Sequence, residues 1–439
     1  MSRRILMGLL VGVLGCGSEP AAVVGADGGD DAGPDAAGPP KVADQHFVAF
    51  EPWARPIDDY LAVGEQVRPG EFNAGIHDLA PFGGRLWLAY GDADYNLGEQ
   101  IPIELRYFAA PDDPRAAAAE VAGEGQGAPQ VTPLQSGEEQ IDRYRVLDGA
   151  LWQAGVDSID ADELFTQQTT DPRGIEGNVY RLEGERWLKF RSLVGGEHVH
   201  DLASWQGAVY AVGSGADTRA EFEAGQIFRY LWQSTDGGAT FATVTRVAHP
   251  APGTGDSRWV HLLATPDTLY LFGYESDFAA NRASIRNAVF DGATVTDLEA
   301  GHPLRTIFPF GTLSLPDGSG LAWGVDIALD PARLTVTHVA VDGSTAALAG
   351  YAGWTVVDVS LVEETDEIVI LAIEGDDYGA TRDTFTARVL VADRAAPGAA
   401  AELAGFTSEI EPRSIAYFGG ALFLGTADGQ VLRASGSGG

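Results

Sequence analysis

The feature that most restricts the fold of this chain is a pattern that recurs along it. Residues 75–96 read GIHDLAPFGGRLWLAYGDADYN, and from His198 the chain reads HVHDLASWQGAVYAVGSG. Both carry a His-Asp pair, Leu-Ala, a bulky residue, a glycine turn, a short apolar run with an aromatic, and a closing glycine. That is the pattern of one β-hairpin, in which aromatic and β-branched strands flank a turn that glycine can make. Fainter copies follow Asp142 (DRYRVLDGALWQAGVDS), Val260 (VHLLATPDTLYLFGYES) and Arg413 (RSIAYFGGALFLGTADG). A unit returning about every 45 to 65 residues predicts an array or a ring of blades.

Units begin near Ile76, Ile141, His198, Trp259, Arg305, Trp354 and Arg413. The expected fold is therefore all-β: a single β-propeller of about seven four-stranded blades, with a six-bladed ring as the alternative. In the third blade the strands fall over 198–203, 208–213, 226–233 and 241–248, each bounded by Gly, Asp or Pro. The last unit offers only three strands, over 414–417, 421–425 and 430–434, while an unassigned run, Phe47-Val48-Ala49-Phe50, stands at the start. Adding this N-terminal strand to the final blade closes the ring and limits exposed edges. The prolines at 52, 56 and 69 mark a loop between it and the first unit, and the alanine run at 115–120 is the one place that reads as a helical turn.

Composition narrows the partners. Acidic residues outnumber basic ones 63 to 28, for a formal charge of -35, so a phosphate-binding face and a nucleic-acid partner are not expected. No apolar run approaches the roughly 20 residues of a membrane-spanning helix. Cys16, the sole cysteine, cannot form an internal disulfide. It follows Arg3, Arg4 and an apolar stretch over 5–14, and Val13-Leu14-Gly15-Cys16 resembles the lipobox of bacterial lipoproteins. The resemblance implies that residues 1–15 are a signal peptide, and that Cys16 is lipidated and anchors the chain to a membrane. Gly17 stands where an inner-membrane retention signal would place Asp, which implies the outer membrane of a bacterial envelope, on its periplasmic or surface face. Residues 16–45 hold the lipidated cysteine and a Gly/Ala/Asp/Pro tether with too little apolar surface to offset its ordering entropy, leaving 46–439 for the propeller.

Ser234-Thr235-Asp236-Gly237-Gly238-Ala239-Thr240-Phe241 resembles the Asp box, S-x-D-x-G-x-T-W/F, of sialidases and of many non-enzymatic propellers. The resemblance implies a turn between the third and fourth strands of blade three, capped by Asp236 with Phe241 packed between sheets. It speaks for the fold and not for an activity.

In such a ring the loops between second and third strands, and those joining blades, share one face. That face reads as acidic: Asp92, Asp94, Asp157, Asp160, Asp217, Glu275, Asp277, Asp326, Asp376 and Asp377. The starts of the innermost strands bring His77, Asp78, Asp142, Arg143, His200, Asp201, Arg258, His261, Arg305 and Arg413 towards the central channel, and these are the candidate ligand-binding residues. Each also has an ordinary reading. His77 and His200 hold equivalent positions and would hydrogen-bond between blades, Asp78 and Asp201 would tie down loop amides, and the arginines would form ion pairs. Asp92, Asp94 and Asn96 offer oxygens at calcium-like spacing, but Leu97 stands where a calcium loop needs Gly and no Glu completes it. No other cofactor is expected. The sequence thus predicts a membrane-anchored, extracytoplasmic and monomeric propeller that binds a polysaccharide, peptide or partner protein at its top face. The alternative is a sialidase-like glycoside hydrolase or polysaccharide lyase, for which two carboxyl groups about 5 to 9.5 Å apart would be needed.

Overall fold

Strands that read apolar on both faces need cover on both sides, and a ring of stacked sheets provides it. The second strand of blade three, Ala208–Gly215, is buried at every residue, while the fourth, Ala242–Ala248, has no buried residue. The computed structural model describes residues 40–47, 49–67, 69–70, 72–92, 103–123, 133–158, 175–278, 280, 282–328, 333–375 and 382–438. Cys16, the signal segment and most of the tether lie outside the described residues, as do Asp94, Asn96, Asp160, Asp376, Asp377 and the side chain of Asp157.

The chain forms seven antiparallel blades, so the six-bladed alternative falls. Their innermost strands are Ile76–Phe82, Tyr144–Leu147, His198–Trp205, Gly255–Ala264, Ile307–Ser314, Trp354–Val362 and Pro412–Phe418. Blade three runs outward through Ala208–Gly215, Phe228–Ser234 and Ala242–Ala248, within a few residues of the predicted strands. On its inner edge it gains two short strands, Val156–Ser158 and Glu138–Gln140.

The apolar core lies between blades. Separate clusters fill the seams of blades two and three, three and four, four and five, five and six, and six and seven, and one larger cluster spans seven, one and two. In that larger cluster the fully buried Trp87 of blade one meets Trp187 of blade two edge-on, with ring centroids 5.2 Å apart.

The N-terminal segment closes the ring, but as two strands. Gln45–Phe47 and Glu51–Ala54 both pair antiparallel with Val431–Gly438, the third strand of blade seven. Trp53 then packs on Phe423 of blade seven at 4.9 Å and on Phe108 of blade one at 4.5 Å. The buried carboxylate of Glu367, on blade six, accepts from the backbone amides of Val42 at 2.7 Å and Ala43 at 3.1 Å.

Two local expectations fail. The alanine run forms strands, Ala116–Ala118 on the edge of blade one and Glu120–Gly123 in parallel beside Arg186–Val194 of blade two. Free strand edges there outweigh the helix propensity of alanine. Conversely, a helix, Asp58–Val67, occupies part of the expected proline-marked loop. Asp58 and Asp59 suit the positive end of its dipole, Tyr60 meets Tyr90 edge-on at 5.3 Å, and Arg106 clamps the Asp59 carboxylate at 2.6 and 2.7 Å.

At the turn after the third strand of blade three, Gly237 and Gly238 take φ of 72° and 88°. Ser234 Oγ accepts from the Gly238 amide at 2.8 Å, and the Asp236 carboxylate accepts from the Thr240 hydroxyl at 2.6 Å and its amide at 3.0 Å. This turn is on the face opposite the mouth of the channel.

A candidate ligand-binding mouth above a charged channel floor

A single device positions the inner residues. In blades one, three, four, five, six and seven the innermost strand slips register against its partner, at Ile76/Asp78, Val199/Asp201, Trp259/His261, Pro309/Gly311, Val356/Asp358 and Pro412/Ser414. The extra residue at each bulge is His77, His200, Val260, Phe310, Val357 or Arg413. A bulge bends its strand and re-aims side chains; Phe310 and Val357 turn into the apolar clusters between blades, whereas His77, His200 and Arg413 supply polar groups.

The residue after the bulge builds the floor. The carboxylates of Asp78, Asp201 and Asp358 each accept, at 2.8 Å, from a backbone amide of the following blade: Tyr144, Leu262 and Ile415 respectively. Blade seven continues the latch with Ser414, whose hydroxyl donates to the Ile76 carbonyl at 3.1 Å. The expected role of Asp78 and Asp201 in holding amides is thus what the geometry contains. For the histidines it differs. His77 Nε2 lies 3.1 Å from the carbonyl of Gly91 in its own blade, and neither ring nitrogen of His200 has a hydrogen-bond partner among the described residues.

Arg145 crosses this floor. Its guanidinium donates to both oxygens of Asp201 at 2.8 Å, and to the carbonyl and hydroxyl of Thr312 on blade five at 3.0 and 3.1 Å. Arg145 and Asp201 are 1 % and 0 % exposed, so the pair is sealed from solvent. Burial pushes the Asp78 carboxyl up to about 6, against the pull of the Tyr144 amide and of Arg143 and Arg145. Burial, reinforced by the charge of Asp78, raises Asp358 well above the usual carboxylate range.

Above the floor the mouth is partly open. Arg258, its side chain 26 % exposed, pairs with the Asp256 carboxylate. His198 stacks on His200 with ring centroids 5.8 Å apart. The buried Asp142 carboxylate accepts from the Gln140 side chain, and burial raises its pKa. On the blade-one side Arg413 donates to Asn73 Oδ1 at 2.7 Å and lies 3.5 Å from Glu411. Burial, with the nearby Arg413 charge, pushes His77 down to about 4.

The structure therefore gathers Asp142, Arg143, His200, Asp201, Arg258 and His261 around blades two to four, and His77, Asp78 and Arg413 around blades seven and one. Arg305 does not join them. It is exposed on the 3-10 turn Pro303–Thr306 leading into blade five. Of the calcium candidates only Asp92 is described; it is 1 % exposed, and its carboxylate accepts from the Asn73 amide. No grouping of three or more His, Cys, Asp or Glu fit for a metal occurs among the described residues.

The sequence reading missed Arg145 and Asp358. Asp358 sits in VVDVSL as Asp78 sits in IHDLAP, a signal that alignment on the bulge would have caught. Arg145 occupies the repeat position that elsewhere holds buried Ala80, Ala203, Leu263, Leu313, Ser360 and Ala416, so a cation at a place that is otherwise buried and uncharged was the clue.

No known family matches the sequence, and no characterised protein matches it. Solved structures resemble it in fold. An α-L-arabinanase of Penicillium chrysogenum is 14% identical, covering 67% of this chain and 92% of its own, with a TM-score of 0.37. A virginiamycin B lyase of Staphylococcus aureus is 11% identical over 83% and 96%, with a TM-score of 0.40. The propeller domain of the Trilobed protease of Pyrococcus furiosus is 8% identical over 84% and 95%, with a TM-score of 0.42. Likeness this distant has no bearing on activity.

Proposed function

We propose that this chain is a lipid-anchored propeller of the bacterial cell envelope that binds a polar ligand, a polysaccharide, peptide or partner protein, at its top face. The observation that carries the reading is the cup: a buried charged floor under a rim where Arg258, His198 and Arg413 remain partly open. Buried charges beneath these partly open side chains bring polar groups together at one end of the ring, and convergent polar groups are the usual mark of a binding site. Anchoring at Cys16 rests on the lipobox resemblance.

Calorimetry and thermal-shift titration against peptides and neutral and acidic oligosaccharides test the binding reading. Paired Arg258→Gln and Arg413→Gln substitutions should weaken any ligand found by roughly tenfold or more while leaving the melting temperature nearly unchanged. Unaltered affinity moves the ligand off the mouth. Turnover of chromogenic glycosides or uronic-acid polymers would replace the binding reading with the hydrolase or lyase one. For the anchor, Cys16→Ser should move the protein from the membrane to the soluble fraction; retention in membranes until detergent is added would reject lipidation.

A further inference from the structure

A cleft of about 200 Å³ opens in the seam between blades five and six, and none of the channel-floor residues lines it. Its walls are Leu334 and Val336 on Arg333–Val339 of blade five, Leu348 and Tyr351 in the connection after Thr345–Ala347, and Trp354 and Val356 at the start of Trp354–Val362. These strand ends meet the loops of the mouth face, so the cleft lies on that face, apart from the rim formed by Arg258, His198 and Arg413. Ala347, Ala349 and Ala352 at its edge are exposed and leave the entrance open. Tyr351 is held from folding across it, because its hydroxyl donates to the Pro397 carbonyl at 2.7 Å. An open apolar space of this size forfeits dispersion contacts that a close-packed seam would make.

One cation stands beside these walls. Arg388, on Phe385–Asp393 of blade six, lays its guanidinium 3.8 Å from the centre of the Trp354 ring. Its charge also acts on Tyr351, where it opposes the burial that pushes the phenol up to about 12. Among the described residues no carboxylate or carbonyl accepts from Arg388, and its buried Nε has no partner. Glu374, the register partner of Trp354, is exposed and makes no ion pair with it. In a chain with 63 acidic and 28 basic residues, this arginine keeps its charge for an incoming group. We propose that the cleft binds a small aromatic carboxylic acid, its ring against Tyr351 and Trp354 and its carboxylate on the Arg388 guanidinium. Apolar cavities of about 150 Å³ take up benzene, so this space suits one ring with a short arm and excludes an oligosaccharide. Aromatic walls favour a ring, and a guanidinium takes a carboxylate through two parallel N–H bonds. The site goes beyond the ligand proposed for the mouth, and neither requires the other.

Titration calorimetry of the full chain with phenylacetate, phenylacetamide and acetate, in about 0.15 M salt to screen the excess negative charge, separates the parts of the proposal. Phenylacetate should bind with a millimolar or tighter dissociation constant. The amide, which lacks the charge, and acetate, which lacks the ring, should bind roughly tenfold or more weakly. Arg388→Gln should bring phenylacetate down to the level of the amide and leave the amide unchanged. Ala352→Trp, at an exposed edge residue, should close the cleft to both ring compounds. The paired Arg258→Gln and Arg413→Gln substitutions should not alter phenylacetate binding; a loss there would move the acid to the mouth and overturn the proposal. Crystals soaked in para-bromophenylacetate should show an anomalous bromine peak between blades five and six. No binding of phenylacetate, equal binding of acid and amide, or a bromine peak only elsewhere also overturns it, and the comparison of acid with amide stands even if Arg388→Gln does not fold.

Discussion

The two sides of the channel floor start from the same repeat residue and reach opposite electrostatic ends. On blades two to five, Asp201 is met by Arg145, which arrives from the preceding blade and continues across to Thr312. On blades six, seven and one, Asp78 and Asp358 hold the same 2.8 Å amide latches, but no guanidinium donates to either among the described residues, and burial raises the pKa of both. The latch is a property of the repeat, set by the bulge and its following aspartate. The charge balance is a property of the ring, set by which residues come round to face one another.

Three changes would break or sharpen this contrast. Deleting residues 45–53 attacks the side that contains the seam, removing two strands from blade seven together with Trp53. The melting temperature should fall by roughly 10 °C or more, and an unchanged scan would show that the ring does not depend on this closure. On the other side, Arg145→Met leaves the Asp201 carboxylate buried without its cation. Urea unfolding should register a loss of about 3–5 kcal/mol; a loss below 1 kcal/mol would mean that Arg145 is dispensable.

The smallest effect belongs to Asp358→Asn, which keeps one oxygen for the Ile415 amide, gives up the bond from the Val359 amide to the other, and removes the charge that acts with Asp78. Its signature is in pH. The folded-state pKa of Asp78, about 6, lies above the ordinary 3.8, so its contribution to stability is fully present below the unfolded value. It is lost as pH rises through about 6. Unfolding measured between pH 4 and pH 7.5 should therefore show this falling component in the unaltered protein, with a shallower slope in Asp358→Asn and stability near pH 7.5 unchanged or higher. A steeper slope, or destabilisation matching that of Arg145→Met, would dissolve the distinction between the two sides.

What the sequence made legible follows the same division. Blade number, strand order and closure could be read because each depends on patterns within about 60 residues: a glycine turn, two apolar runs, a missing last strand. Asp78 and Asp201 could be read as ties for the same reason. His77 and His200 misled because equal places in the repeat suggested equal bonding, whereas Gly91 bonds one and no described residue bonds the other. Arg305 was misplaced because the 3-10 turn that holds it ends before the strand turns inward. Arg145 could not be paired from sequence at all, since its partners lie 56 and 167 residues away. The helix Asp58–Val67 was hidden by flanking prolines and an internal Gly64, and exists because Ile57 and Tyr60 find cover against the ring.

The closure of blade seven also sets an order of events during synthesis. Residues 45–54 leave the ribosome ahead of the other described strands, yet their partner, Val431–Gly438, follows all of them. At about 5–20 residues per second the early strands wait on the order of 20–80 s, while the intervening blades stack beside them. A product that stops short of residue 431 keeps its first strands unpaired and its ring unlocked. The joint therefore works as a checkpoint: only a chain translated through Val431–Gly438 can cover the strands at 45–54.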